Sequence, residues 1–90
     1  MNEKEVLVRI IDCKNDVMIR AEYTSIPSEM LKMYHYMKDK EGLFIRLEDH
    51  NEDEKYRAEY DNKIAYVKDV EVIPGGDYWL NCINVFVEVI

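Results

Sequence analysis

Cysteine is scarce in the sequence, and its placement excludes the usual structural roles of cysteine in small domains. The chain has two cysteines, Cys13 and Cys82, near opposite ends, so it contains no CxxC pair. No histidine stands where it would complete a zinc site with either of them. We therefore expect no structural zinc, and two reduced thiols that serve as small core residues in a reducing, cytoplasmic compartment.

Long apolar runs and an excess of positive charge are also missing. No stretch approaches the roughly 20 apolar residues that span a bilayer, and residues 1–5 include three charged side chains, without a signal-type apolar stretch behind them. The formal net charge is −7, whereas binding to nucleic-acid phosphates or anionic lipids depends on Lys and Arg. We therefore expect no direct nucleic-acid binding, no membrane association and a basic protein partner.

Sequence motifs of catalysis and phosphate binding are absent as well. Serine occurs only at Ser25 and Ser28, where a helix start explains both, and there is no G-x-S-x-G nucleophile motif. The pair Gly75 and Gly76 lacks the rest of a phosphate-binding loop and precedes Asp77, which would repel phosphate. We therefore predict that the protein is not an enzyme and takes no cofactor.

One acidic stretch matches part of a calcium-binding loop. Asp49, Asn51 and Asp53 reproduce its first three ligand positions. Glu54 then stands where the loop needs a glycine, and Tyr60 occupies the position of the bidentate carboxylate. We therefore predict no metal site.

The sequence does contain enough apolar residues for one folded domain. Of its 90 residues, 48% are hydrophobic, and a chain of this length buries a core without metals or crosslinks. We predict a single domain over residues 1–90.

Two N-terminal segments have the two-residue period of β-strands. Residues 5–12 and 17–26 alternate between apolar and polar positions, and the turn-forming residues 14–16 separate them. We predict an N-terminal β-hairpin. The second strand should turn one face to the core, formed by Val17, Ile19, Ala21 and Tyr23.

A helix is predicted over about residues 27–40. Ser25 is a candidate N-cap, Pro27 fits the first turn, and Gly42 follows as a stop signal. Apolar residues at helical spacing predict a core-facing side formed by Met30, Met33, Tyr34 and Met37, flanked by Leu31.

The second half of the chain returns to the strand period. Residues 43–47 alternate, whereas residues 55–60 fit either a strand or a helix. We assign 55–60 to a strand, because residues 61–63 look like a tight turn into another strand over 64–73. The last strand, 78–90, should place on one face Trp79, Ile83, Val85, Val87 and Val89.

Together these elements predict an α+β fold. Strands on both sides of one helix, with short connections, favour a mainly antiparallel sheet of five or six strands with the central helix packed on one face.

Negative charge is concentrated between residues 48 and 61. Seven carboxylates lie there against two cations, Lys55 and Arg57, which leaves a local charge of −5. The carboxylates are Glu48, Asp49, Glu52, Asp53, Glu54, Glu59 and Asp61. One explanation is a solvated hairpin tip that keeps the protein soluble. The other is a surface that meets a basic partner, with Tyr56 and Tyr60 as desolvated anchors.

The second explanation leads to a function. We expect a small non-enzymatic binding protein, an inhibitor or regulator, that docks this carboxylate-rich face on a basic protein such as a nucleic-acid-binding protein. Its carboxylates would occupy the places that DNA phosphates take on that partner. In size and charge the chain resembles small acidic α+β inhibitors encoded by phages, a resemblance of composition without a shared motif.

Two other classes of function stay open. An assembly subunit or homodimer would form if the last strand lay at a sheet edge and paired with another chain through the stretch that carries Val85, Val87 and Val89. A small-ligand-binding domain would need a pocket among Tyr34, His35, His50 and Trp79.

Overall fold

The chain forms a five-stranded sheet with one α-helix against it. The computed structural model describes residues 6–40, 43–47, 58–75 and 81–90. The elements, in chain order, are β1 (Val6–Asp12), β2 (Val17–Thr24), α1 (Pro27–Asp39), β3 (Ile45–Arg46), a 3-10 turn (Ala58–Tyr60), β4 (Ile64–Ile73) and β5 (Cys82–Val89). This confirms the predicted α+β fold. No helix within the described ranges is long and apolar enough to cross a lipid bilayer.

The strand order is β2-β1-β5-β4-β3, and the sheet is mixed. The first and last strands, β1 and β5, pair in parallel, and all other neighbours are antiparallel. β5 lies at the centre because it is the most apolar strand, with Val85 and Val87 fully buried. Since β5 has neighbours on both sides, the edge pairing that we considered as an alternative for this strand is not open to it.

The core lies between the sheet and α1. Buried apolar residues from four strands meet the helix on one side of the sheet, here called the helix face: Val6, Val8, Ile19, Ala65, Val67, Ile83, Val85 and Val87. The predicted inward alternation of β5 is confirmed for its described residues, and Trp79 lies outside them. Cys82 is buried, whereas Cys13 is exposed, so the expectation that both cysteines serve as core residues was wrong for Cys13.

The N-terminal hairpin is confirmed, but one strand changes face along its length. The register between β1 and β2 shifts at Ile10 and Ile11, which leaves Ile19 of β2 as an unpaired bulge residue. Beyond the bulge, Ala21 pairs with Arg9 on the sheet face away from α1, and Tyr23 follows it there. The predicted single core face of β2 was therefore wrong, because a bulge resets the two-residue period.

The helix matches its predicted range closely but differs in its cap and core-facing side. Its N-cap is Ile26, which makes no side-chain cap hydrogen bond, so the predicted Ser25 cap was wrong. Tyr34 is buried, and Met30, Leu31 and Met37 pack half-buried against the core. Met33 is 43% exposed, contrary to our prediction, because α1 packs mainly along β4.

The segment before β4 departs most from the predicted meander. Residues 58–60 form a 3-10 turn instead of the end of a strand, and 55–57 lie outside the described residues. Within 43–47, only Ile45 and Arg46 pair with β4. The tight turn at 61–63 is confirmed, with Asn62 in the left-handed region at φ 63°.

Candidate functional site

A buried carboxylate organises the end of the sheet where β1 stops. Asp12 is 2% exposed. Its oxygens accept hydrogen bonds from the Tyr60 hydroxyl at 2.8 Å, the Asn15 side-chain amide at 2.9 Å, and the backbone N–H groups of Lys14 at 3.0 Å and Asn15 at 3.4 Å. A buried carboxylate requires such donors, because it has lost the hydration of its charge. Asp12 thereby ties the β1–β2 turn to the 3-10 turn.

These contacts shift the titration of both partners. Burial by itself raises the pKa of the Asp12 carboxyl, but the hydrogen bonds from Tyr60, from Asn15 and from the two backbone N–H groups lower it by more, so its pKa lies below the usual value. Burial, and then the hydrogen bond to Asp12, raise the pKa of Tyr60 above its usual value. Both shifts lead away from neutral pH, where a general acid or base would need its pKa. The Asp12–Tyr60 pair therefore suits a structural role.

The sequence analysis did not single out Asp12, although the strand pattern of β1 places it on an inward position. In β1, Val6, Val8 and Ile10 define the inward positions, and the same two-residue period places Asp12 inward as well. An aspartate on an inward position directly before a turn suits a side chain that hydrogen-bonds the turn backbone.

Tyr60 lies in the core instead of on the surface. It is 8% exposed and belongs to the same core cluster as Tyr34 and Leu47. A partner protein would therefore reach little of its ring, unlike the exposed anchor that the sequence suggested. Its buried hydroxyl, bonded to Asp12, holds the chain directly before Asp61.

Most of the predicted partner-binding residues lie outside the described residues. This group comprises Glu48, Asp49, Glu52, Asp53, Glu54 and Tyr56. Of the remaining carboxylates, Glu59 is exposed and Asp61 is half-buried. Both take part in interactions within the chain.

The two described ends that flank residues 48–57 are held together at this end of the sheet. The Leu47 N–H donates to the Lys63 carbonyl at 2.8 Å, and the Asn62 N–H donates to the Leu47 carbonyl at 2.7 Å. Leu47 is 4% exposed, and Tyr60 is fastened to Asp12. The described residues on either side of 48–57 are therefore fixed by buried contacts.

Several carboxylates elsewhere in the described chain face a cation of the same chain. The ion pairs are Arg20–Glu22, Lys38–Asp69 at 3.4 Å and Lys68–Glu88 at 3.3 Å. Exposed pairs of this kind add little stability, but they reduce the local negative potential of the sheet. In the sequence, the principal concentration of negative charge is the 48–61 segment, with its local charge of −5.

A shallow groove of about 390 Å³ lies beside the Asp12–Tyr60 contact. Its lining comprises Asn15, Val17, Glu59, Tyr60, Lys63, Val89 and Ile90. In the part of the chain that the structure describes, no group of three or more His, Cys, Asp or Glu side chains is placed to hold a metal ion. Of the residues proposed to line a ligand pocket, Tyr34 is buried and His35 is exposed, while His50 and Trp79 lie outside the described residues.

Comparisons of the chain with protein-family models, with curated protein sequences and with solved structures find no match.

Proposed function

We propose that the protein is a small non-enzymatic binding protein that presents its 48–61 segment to a basic partner protein, as an inhibitor or regulator. One observation carries the proposal: the described residues on either side of 48–57 are fixed side by side by the buried Asp12–Tyr60 contact and the backbone bonds of Leu47. We place its action in the cytoplasm, where its two unpaired cysteines would stay reduced.

Fixed ends favour binding. Ordering a segment on association costs free energy, and a segment whose two ends are already held has less conformational entropy left to lose. A loop with both ends held samples fewer conformations than a free tail of the same length. In this proposal Tyr60 and Asp12 act indirectly, by holding the segment, and Tyr56 remains the proposed aromatic anchor.

The proposed mechanism is competition for cationic side chains. A nucleic-acid-binding protein holds phosphates with Lys and Arg, and its affinity falls steeply with salt. Carboxylates closely spaced along one segment would meet the same cations and exclude the nucleic acid. Binding should therefore weaken with salt and should be reversed by DNA.

The experiment compares three forms of the protein as bait for proteins from a cell lysate. These are the unmodified chain, the Glu52→Lys/Glu54→Lys variant, and a control with Glu29→Lys/Asp39→Lys on α1. Both variants change the net charge equally, so the control separates a local charge effect from the total charge.

We expect the unmodified chain and the control to retain the same basic proteins at low salt and to release them to high salt or to duplex DNA. The Glu52→Lys/Glu54→Lys variant should lose them. Equal retention by both variants, or retention that does not respond to salt, would refute the proposal. Release by salt but not by DNA would reject nucleic-acid mimicry and leave a different basic partner.

A further inference from the structure

The sheet face away from α1 has an ordered pattern of side chains. Directly paired residues share a face, so the strand register aligns them in rows across the sheet. Two rows run from β2 through β1 and β5 to β4, Tyr23–Leu7–Cys82–Ile73 and Ala21–Arg9–Asn84–Glu71, and a third, Met18–Ile11–Phe86, runs from β2 to β5. We call these rows the open face, since no described helix or strand packs over them.

The middle row is polar and has opposite charges at its two sides. The Arg9 Nε donates to the Asn84 Oδ1 at 2.8 Å, and the Asn84 side-chain amide donates to the Glu71 Oε1 at 3.3 Å. Asn84 is 6% exposed and lies on the central strand. A positive group therefore lies one strand to one side of β5, and a negative group lies one strand to the other side.

The rows on either side of it are mainly apolar. Leu7, Ile11, Ile73 and Phe86 are half-buried, and Met18 is 43% exposed. A sheet with apolar residues on both faces is normally covered on both, because domains are built from packed layers. Apolar side chains that lie on an uncovered sheet face are typical of an interaction site.

We propose that the open face is the interface of a homodimer, in which a second copy of the chain packs its own open face against it. The two-fold axis runs parallel to β5. This interface differs from the edge pairing considered from the sequence, and it is independent of the proposed function, because none of its residues belongs to the 48–61 segment.

The positions of Arg9 and Glu71 favour a second copy of the chain as the partner, and they favour a two-fold axis parallel to β5. A two-fold rotation about a line parallel to β5 exchanges the two sides of the sheet but keeps each row at its own level. Arg9 then faces Glu71 of the partner subunit, and Asn84 faces Asn84 of the partner subunit. An axis across the strands would instead place Arg9 over its own copy, so only the first arrangement is complementary.

The distances are compatible with packed sheets. Neighbouring strands are about 4.8 Å apart, and facing sheets are about 10 Å apart. Packed sheets cross at about 30°. For residues one strand away from the axis, this crossing shifts the two facing residues along the strands by only about 2.4 Å relative to each other, which an Arg side chain can span. Because the interface is isologous, the Arg9–Glu71 contact forms twice.

The first test uses two variants that each reverse one charge, Arg9→Glu and Glu71→Arg. The unmodified chain should sediment as a dimer at about 0.1 mM, and each variant alone should dissociate at least about 100-fold more readily, because both copies of the pair then repel. An equimolar mixture of the two variants should form a heterodimer. The carboxylate introduced in one chain then meets the guanidinium introduced in the other, and the original Arg9–Glu71 pair forms at the second contact. No change within a single chain would produce this complementation.

The control variant, Lys32→Glu on the exposed side of α1, makes the same kind of charge change away from the open face and should remain dimeric. A monomeric unmodified chain, or a dimer that neither charge reversal weakens, would overturn the proposal. So would folded variants that fail to combine when mixed.

A second test applies if a single variant does not fold. The double variant Arg9→Glu/Glu71→Arg keeps an opposite-charge row within the chain, so it should fold and dimerise with itself. It should not combine with the unmodified chain, because like charges would then face each other at both contacts. Native mass spectrometry distinguishes the species, and free mixing of the two forms would contradict the proposed axis.

Discussion

At the scale of single residues, the Asp12 carboxylate shows how one polar group can connect two distant parts of the chain. Tyr60 follows Asp12 by 48 positions, and their hydrogen bond is buried. All four contacts to the carboxylate come from donors. Replacing Asp12 with asparagine would therefore put an amide N–H₂ opposite other donors, with no acceptor for it.

The first prediction is a pH-dependent loss of stability in the Asp12→Asn variant. Because the folded pKa of Asp12 lies below its unfolded value, the stabilisation is present above the unfolded pKa and is lost as the pH falls through the folded pKa. At pH 7 the variant should lose about 2 kcal/mol of unfolding free energy. The difference from the unmodified chain should shrink as the pH falls below about 4.

Urea denaturation at several pH values measures this difference. Asp16→Asn is the matched control: Asp16 lies in the same turn, is exposed, and has a left-handed φ of 55°, which asparagine also adopts. The control should change stability by less than about 0.5 kcal/mol. A difference for Asp12→Asn that stays constant down to acid pH would show that the carboxylate charge is not its cause.

At the scale of secondary-structure elements, the start of α1 lacks the side-chain N-cap hydrogen bond that a helix normally has. The first N–H groups of a helix lack backbone partners, and a polar N-cap side chain normally accepts from one of them. Here the N-cap is Ile26, whose side chain cannot accept and which is 55% exposed. Thr24 instead uses its hydroxyl to accept from the Ile26 N–H at 3.1 Å, outside the helix.

The second prediction is that Ile26→Asp stabilises the protein. The new carboxylate would accept from a free helix N–H and would lie at the positive end of the helix dipole, for a gain of about 1 kcal/mol in unfolding free energy. Ser25→Asp adds the same charge one residue earlier, where it cannot cap, and should gain less. Thermal denaturation compares the two variants, and an equal gain from both would attribute the effect to charge alone.

At the scale of the whole molecule, the position of β5 decides which residues matter most. β5 pairs with β1 on one side and with β4 on the other. Four successive residues of β5, from Cys82 to Val85, are buried, because the strand has a hydrogen-bonded neighbour on each side. β4 has strand neighbours too, but its second half emerges at the rim of the core, where Val72 is 49% exposed.

The third prediction uses one substitution at two positions that look alike in the sequence. Val85→Ala should cost about 2 kcal/mol of unfolding free energy, because the removed methyl groups leave a cavity at a fully buried site of the central strand. Val72→Ala removes the same atoms at the rim and should cost less than about 0.5 kcal/mol. Chemical denaturation measures both, and equal costs would contradict the central position of β5.

Much of the fold could be predicted from the sequence, because its signals are local. The period of two residues indicated β1, β2, β4 and β5, and the period of 3.6 with Pro27 indicated α1 to within about one residue at each end. The turns after β1 and before β4 followed from residues that accept tight backbone geometry. The charge of the 48–61 segment is also a property of the sequence alone.

Only the tertiary structure decided the strand order, the two faces of β2, the burial of Tyr60 and its pairing with Asp12. Each depends on contacts between residues far apart in the chain, and a sequence period carries no record of which strand lies beside which. Tyr60 looked like a surface residue because its neighbours are charged, yet its position in the core follows from Asp12, whose buried charge requires a donor.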